Sequence, residues 1–461
     1  MLFSSFEYIF LFLPLVFIAY FFLNSKKLTI GSRIWLVLSS LLFYAYWKTS
    51  FLPVILISFI TNYIFGYCLA RNATSEWKKY LIICGLCFNV FLLAYYKYSD
   101  FVIANINLIF NIQFHALNID LPLGISFFTF TQIAYLVDVY RQKVKEYSFL
   151  NYALFVTYFP HLLAGPIIHH SEMMPQFYSM NAKVLRYKNV WKGIFLFTIG
   201  LFKKIVIADT FAVWANQGFD HSASLSCLQA WATSFAYTFQ LYFDFSGYTD
   251  MAIGSSLLFN IVLPFNFNSP YKALDIQDFW RRWHITLSRF LKEYIYIPLG
   301  GNRAGTIRAY TNLMLTFLIG GLWHGAGWTF IFWGFLHGCA LVIQRLWGKL
   351  DISMPKILAW FITFNFVNIA WVFFRAKTWD NAIKILSEML NFSQMGNLNL
   401  LVWGCLFIGF VIALFFKNSN QLLLSKLITH RFAPIAIASV FACSIVFLNV
   451  RGGSAFIYFQ F

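Results

Sequence analysis

The chain has 461 residues, 60% of them hydrophobic, 21% aromatic and only 11% charged, against about 25% charged in soluble domains. That deficit excludes an ordinary soluble enzyme and places the chain among polytopic membrane proteins, as an all-α structure in one membrane domain spanning residues 1–461. The net charge of +17 does not read as nucleic-acid binding. Its basic residues fall in short clusters between apolar runs, such as Lys26/Lys27/Arg33, Arg71/Lys78/Lys79, Arg141/Lys143/Lys145 and Lys183/Arg186/Lys188/Lys192. Such clusters are expected of cytoplasmic loops, with anionic lipid headgroups and an anionic substrate as partners.

The N-terminus lacks the basic region and small-residue cleavage site of a signal peptide. Residues 3–23 therefore read as a retained first span, and Lys26 and Lys27 after it set an N-out start. Further apolar runs follow at 34–47, 51–70 and 80–96. The run 101–119 carries Asn105, Asn107, Asn111 and His115, which suggests an interfacial or re-entrant segment. Runs 121–137 and 147–168 hold Pro122 with Gly124, and Pro160, Gly165 and Pro166. Broken helices of this kind line cavities more often than they face lipid.

Residues 193–200 are too short to span alone, although 205–219 extends them. A span at 222–243 ends in Asp244, Ser246, Tyr248 and Asp250, and a second apolar run covers 251–265. Beyond the central region, spans are expected at 357–374, 400–416 and 432–450. The total is roughly eleven transmembrane helices plus re-entrant and interfacial ones. The seven cysteines, scattered through apolar runs, read as small buried hydrophobes.

The stretch 309–344 contains no Lys, Arg, Asp or Glu, and Gly320, Gly321, Gly325 and Gly327 interrupt it around Trp323 and His324. Non-helical backbone at membrane depth survives only inside protein or beside a watery cavity, and an ionisable group there is costly. His324 is thus a candidate functional residue. A loop histidine bonded to a carbonyl is the structural alternative.

Before it, residues 278–296 place Trp280, Trp283, Leu287, Phe290, Leu291 and Tyr294 on one face of a helix. Arg281, Arg282, Arg289 and Lys292 lie on or beside the other, and His284 sits at the edge of the apolar face. A basic amphipathic helix with Trp on its apolar side is expected to lie in the membrane interface. Its cations either meet lipid phosphates or hold the phosphates of a cytoplasmic donor, which guanidinium binds in bidentate fashion. His161, His169, His170 and His337 also lie in or near apolar runs and read as structural. No Gly-x-Ser-x-Gly elbow, Walker A loop or His-Glu-x-x-His helix is present. Asp244 and Asp250 cap or bridge helices rather than bind a metal, because hard cations want more oxygen ligands.

Seven stretches in order carry a resemblance: LPLGISFFTF at 121–130, YLVDVYR at 135–141, FPHLLAGPI at 159–167, FDFSGYTDMAIG at 243–254, NFNSPY at 266–271, DFWRRWHITLSRFLKEYIYIPLGGNR at 278–303 and GLWHGAGWTFIFWG at 321–334. The chain resembles the bacterial branch of the membrane-bound O-acyltransferase (MBOAT) family, from its opening residues to about 375 and best over 121–345.

The resemblance implies a many-helix membrane fold around a central funnel in a bacterial cytoplasmic (inner) membrane. By it, His324 matches the family's catalytic histidine and acts as general base toward an acceptor hydroxyl. His284 matches the branch's second histidine, which positions groups or stabilises charge. Arg281, Arg282, Arg289 and Lys292 are then candidates for donor binding, and Trp323, Asp244 and Asn268 for the cavity lining.

Within the branch the chain is similar to subunits that supply acetyl groups for O-acetylation of alginate, other exopolysaccharides or peptidoglycan. Those imply acetyl-CoA as a donor substrate, no bound cofactor, and a periplasmic or membrane-anchored transferase partner. With no Ser or Cys beside His324 in sequence, direct transfer is expected. The D-alanyl transfer protein of teichoic acid modification is the alternative within the family. A transporter or flippase is the alternative outside it, since broken helices also suit transport.

Overall fold

The computed structural model describes residues 1–71, 76–303, 305–350 and 352–460, and these are helical without any strand. Among the described residues, six helices are long and apolar enough to cross a membrane, and three shorter apolar ones accompany them. The chain divides into two compact units, one made of Met1–Thr198 with Tyr248–Pro264 and the other of Ile199–Gly247 with Phe265–Phe461.

The first unit holds the spans Glu7–Ser25, Thr49–Arg71 and Trp77–Phe110, with the shorter Thr29–Ala45 and Ile125–Tyr140. Lipid-facing helices lack the hydrophobic drive that joins helices in water, so polar contacts and close packing must hold them. Asn62 and Asn89 accordingly exchange amide hydrogen bonds of 3.1 and 2.6 Å, and Gln132 donates to Ser58 at 2.9 Å. The segment 101–119, expected to be interfacial or re-entrant, is helical in its first part. The helical run continues to Phe110, where Asn111 in the left-handed conformation (φ 54°) ends it. Two of its polar side chains are absorbed locally: the Asn105 amide donates to the Phe101 carbonyl, and Asn107 pairs with the backbone of Phe114 in both directions.

Gly124, also at positive φ (+70°), starts the Ile125–Tyr140 helix. A Cβ there would meet the Leu163 backbone at 3.0 Å, so the close approach of two chain segments depends on glycine. The four-residue helix Phe159–Leu162 and the short Phe149–Thr157 confirm the broken character expected near Pro160.

The second unit holds the spans Trp328–Trp347, Lys356–Arg375 and Ala433–Arg451 and the shorter Leu400–Phe415. The runs expected at 222–243 and 251–265 are not separate. One 32-residue helix, Cys227–Leu258, carries the first and continues through the polar cluster into the second. No proline interrupts it, and its acidic Asp244 finds a cation in the same unit.

Thr306–His324 and Trp328–Trp347 form a tight hairpin. A Cβ on Gly321 would meet the Phe330 carbonyl at 2.4 Å, and one on Gly334 would meet that of Phe317 at 2.3 Å. The two backbones touch, as small residues allow membrane helices to do.

The single amphipathic helix expected over 278–296 is also corrected. Two short helices, Ile276–Arg282 and Ile285–Leu291, are separated by His284 in the left-handed region (φ 42°, ψ 55°), and a π turn at Lys292–Tyr296 follows.

Candidate active site

His324 is the last residue of the Thr306–His324 helix. The expected glycine break is shorter than the sequence suggested. Gly320 and Gly321 stay helical, and the backbone extends only from Gly325 to Gly327, before Trp328 starts the next helix. A Cβ on Gly325 would meet the Phe330 ring at 2.2 Å, so this residue must be small for the chain to pass. The histidine is 3% exposed. Rings surround it: Trp323 at 4.8 Å, Trp333 at 5.1 Å, Phe374 at 5.2 Å and Tyr458 at 5.7 Å between centroids.

His284 reaches the same chamber from another direction. It is fully buried, with its ring edge-on to Phe245 at 4.7 Å and 6.4 Å from Trp323. Phe245 lies 4.5 Å from Tyr458, which closes the circle to His324. The left-handed backbone costs a residue with a Cβ energy, so its surroundings must enforce it. Asn266 does so, accepting the Ile285 N–H on its carbonyl at 3.0 Å. Its side-chain oxygen accepts both the N–H (3.2 Å) and the hydroxyl (2.7 Å) of Thr286. Among the described residues neither ring nitrogen of His284 has a hydrogen-bond partner. Burial lowers its pKa to about 3, so the ring is neutral.

Asp244 lies behind this chamber rather than on an open cavity. It is 2% exposed and pairs with Lys204, which also holds Asp209 at 3.0 Å. This buried group binds the segment that carries Tyr458. Lys204 donates to Ser454 at 2.6 Å, Ser454 donates to Asp209 at 2.7 Å, and the Ile457 N–H donates to Asp244 at 3.1 Å. Burial holds the Tyr458 phenol protonated, well above its usual range. Asn268 is exposed and forms a bracket: its carbonyl accepts Arg282 at 3.2 Å and its side chain accepts Asn418 at 2.8 Å.

A cavity of about 660 Å³ adjoins the Ile276–Arg282 and Ile285–Leu291 helices. Arg281, Arg289, Lys292 and Arg345 line it, the first and third of them exposed, while Trp280, Phe317 and Leu341 are its buried apolar wall. Arg282 takes no part, because Asp278 holds its guanidinium at 2.9 Å. Neither histidine lines this cavity. The four histidines read as structural have partners of their own: His161 the Phe155 carbonyl at 2.8 Å, His169 Asp138 at 3.1 Å, His170 Glu146 at 3.4 Å and His337 the Trp280 indole at 3.2 Å.

The family model of the membrane-bound O-acyltransferases matches residues 9–378. The chain belongs to this family. A peptidoglycan O-acetyltransferase of Helicobacter pylori is 54% identical to it over 420 residues, covering 85% of this chain and 80% of that protein. The probable alginate O-acetylase AlgI of Pseudomonas aeruginosa is 39% identical over 436 residues, 90% of this chain and 81% of its own length. A teichoic acid D-alanyltransferase of Bacillus subtilis is 29% identical over 274 residues, 55% of this chain and 69% of that one.

As an MBOAT protein the chain is a multi-pass membrane acyltransferase, which removes the transporter reading. Five residues that hold or enclose the two histidines of this acyltransferase escaped the sequence reading: Asn266, Lys204, Tyr458, Trp333 and Phe374. Asn266 and Trp333 lie inside stretches that carry the family resemblance, yet nothing in their spacing marks a role. Lys204 sits in an apolar run where an unpaired cation is costly, and that was an available signal.

Proposed function

We propose that this acyltransferase takes an acetyl group from acetyl-CoA on the cytoplasmic side and delivers it across the cytoplasmic (inner) membrane. The acetyl group serves O-acetylation of an extracytoplasmic polysaccharide, either peptidoglycan or an alginate-like polymer. The observation that carries this reading is the convergence of His324 and neutral His284 in one buried aromatic chamber next to a cavity with a basic rim. The likeness to a peptidoglycan O-acetyltransferase and a probable alginate O-acetylase over most of their lengths supports the acyl group and the polymer class.

In this mechanism the diphosphate of the donor lies on Arg281, Arg289 and Lys292, where guanidinium and ammonium bind phosphate oxygens. His324 in its neutral form accepts the proton of an acceptor hydroxyl as the oxygen attacks the thioester carbonyl. The C–O bond forms, the C–S bond breaks, and the thiolate of CoA leaves and takes up the proton. Among the described residues, no partner competes for the ring N–H of His284. The imidazole donates that hydrogen to the oxyanion that develops on the carbonyl oxygen, in surroundings dry enough to make the interaction strong. A periplasmic or membrane-anchored transferase then places the acetyl group on the polymer.

The test is CoA release from acetyl-CoA by the protein in nanodiscs, wild type beside His324→Ala, with partner or acceptor present. Release that vanishes in a folded variant supports the mechanism. Equal release moves the base elsewhere, and release from a D-alanyl carrier protein instead of acetyl-CoA favours the second reading. That second reading rests on a likeness covering 55% of the chain.

A further inference from the structure

We propose that Trp280, latched by His337, separates the basic-rimmed cavity from the histidine chamber and restricts the acyl group that reaches His324 to a short one. This deepens the donor reading given above and rests on it.

Trp280 lies in the last turn of the Ile276–Arg282 helix and forms part of the cavity wall, with only 7% of its surface exposed. Beyond it stands Trp333, edge-on at 5.8 Å, which lines no part of the cavity and is itself edge-on to His324 at 5.1 Å. The order is therefore cavity, Trp280, Trp333, His324. A thioester whose phosphates rest on Arg281, Arg289 and Lys292 has to bring its carbonyl past the edge of Trp280 to meet the base. Each methylene added to the acyl group has to be accommodated against that indole.

The indole is held rather than merely packed. Its N–H donates to Nδ1 of His337 at 3.2 Å, and Phe317 supports its ring at 5.0 Å. His337 has no exposed surface and sits one helical turn after Trp333 on the Trp328–Trp347 helix, their rings 4.8 Å apart. Acceptance at Nδ1 fixes the ring as the neutral tautomer that carries its hydrogen on Nε2. A polar side chain inside an apolar span is costly without a task. The task here is to satisfy the indole N–H and hold Trp280 in one rotamer. An apolar residue at 337 would leave that donor buried and unpaired. Trp280 is thus the specificity-determining residue and His337 a positioning residue acting through it.

The experiment compares kcat/KM for CoA release from acetyl-CoA and butyryl-CoA in nanodiscs, for wild type, Trp280→Ala, His337→Phe and His337→Gln. Thermal melting and size exclusion report folding. Trp280→Ala is expected to raise the butyryl-to-acetyl ratio by about tenfold, as enlarging an apolar pocket by a few methylenes does. His337→Phe should raise the ratio by a smaller factor, whereas His337→Gln, which keeps an acceptor, should stay near wild type. A folded Trp280→Ala with the wild-type ratio overturns the proposal. If that variant does not fold, the His337 pair decides, and equal ratios in both variants overturn it as well. Wild type that releases CoA from neither thioester fails the donor reading itself, an outcome distinct from an unchanged ratio.

Discussion

His284 and His324 share one chamber but are held there by different means. Backbone geometry holds His284: a left-handed residue between two short helices, pinned by three hydrogen bonds to Asn266. Packing holds His324 at the end of a long helix, with four aromatic rings around it. The wall of His284 is built from residues 266–286 with Phe245 and Trp323. That of His324 draws on Trp333, Phe374 and Tyr458, so it depends on distant parts of the unit. A base needs a fixed ring, which packing gives. A group that stabilises charge needs a fixed direction, which a pinned backbone supplies.

The largest effect should follow from breaking the His324 side directly. His324→Ala is expected to lower turnover by about 10² to 10⁴. His284→Gly separates the two roles at the other site. Glycine suits the left-handed backbone, so the variant should fold at least as well as wild type while turnover falls by about 10². Loss of stability in His284→Gly would show that the imidazole, not Asn266, fixes the turn. Steady-state CoA release and melting curves on the same preparations decide both.

The next effect tests whether the wall of His324 is assembled from afar. Lys204→Met removes the only cation between the half-buried Asp209 and the buried Asp244 that the described ion pairs place there. Breaking one partner of such a buried group costs about 3–5 kcal/mol, because the charges left behind have lost their solvent. The segment with Ser454 and Ile457 loses its anchor at the same time, and Tyr458 with it. Limited proteolysis should then cleave near residue 454 in the variant before wild type. Protection equal to wild type would mean that the rings around Tyr458 hold the segment by themselves. Asn266→Ala makes the matching cut at His284 and should cost about 1–3 kcal/mol, the range for a buried donor left unsatisfied.

Sequence alone revealed the all-helical membrane architecture, because apolar runs need no knowledge of partners. It also singled out His324 as a candidate, since an ionisable residue in an uncharged stretch stands out. It did not reveal the wall around that residue: Phe374 and Tyr458 are two of many aromatics, and only the fold selects which ones meet. The 278–296 segment was misjudged for a different reason. Its helical periodicity is real on each side of the break, but no glycine or proline marks the break itself. The left-handed turn at His284 is imposed by Asn266, eighteen positions earlier. The Cys227–Leu258 helix was divided wrongly because Asp244 looked like an end, when the cation that permits its burial lies forty positions away.

That turn also sorts the basic residues, which yields the smallest and most selective effect. At 100° per residue, an unbroken helix would put Arg282 and Arg289, seven apart, within about 20° of each other, and both would serve one ligand. The break at His284 separates them. Arg289 lines the cavity with Arg281 and Lys292, whereas Arg282 turns to Asp278 and the Asn268 carbonyl. Arg281→Ala and Arg289→Ala should therefore raise KM for acetyl-CoA by about tenfold each, the loss of one charge-assisted phosphate contact, with kcat nearly unchanged. Arg282→Ala should leave KM as it is and lower stability by at most about 1 kcal/mol, as a partly exposed ion pair does. An equal rise in KM for Arg281→Ala and Arg282→Ala would mean that donor binding reunites the two faces, and with them the two short helices.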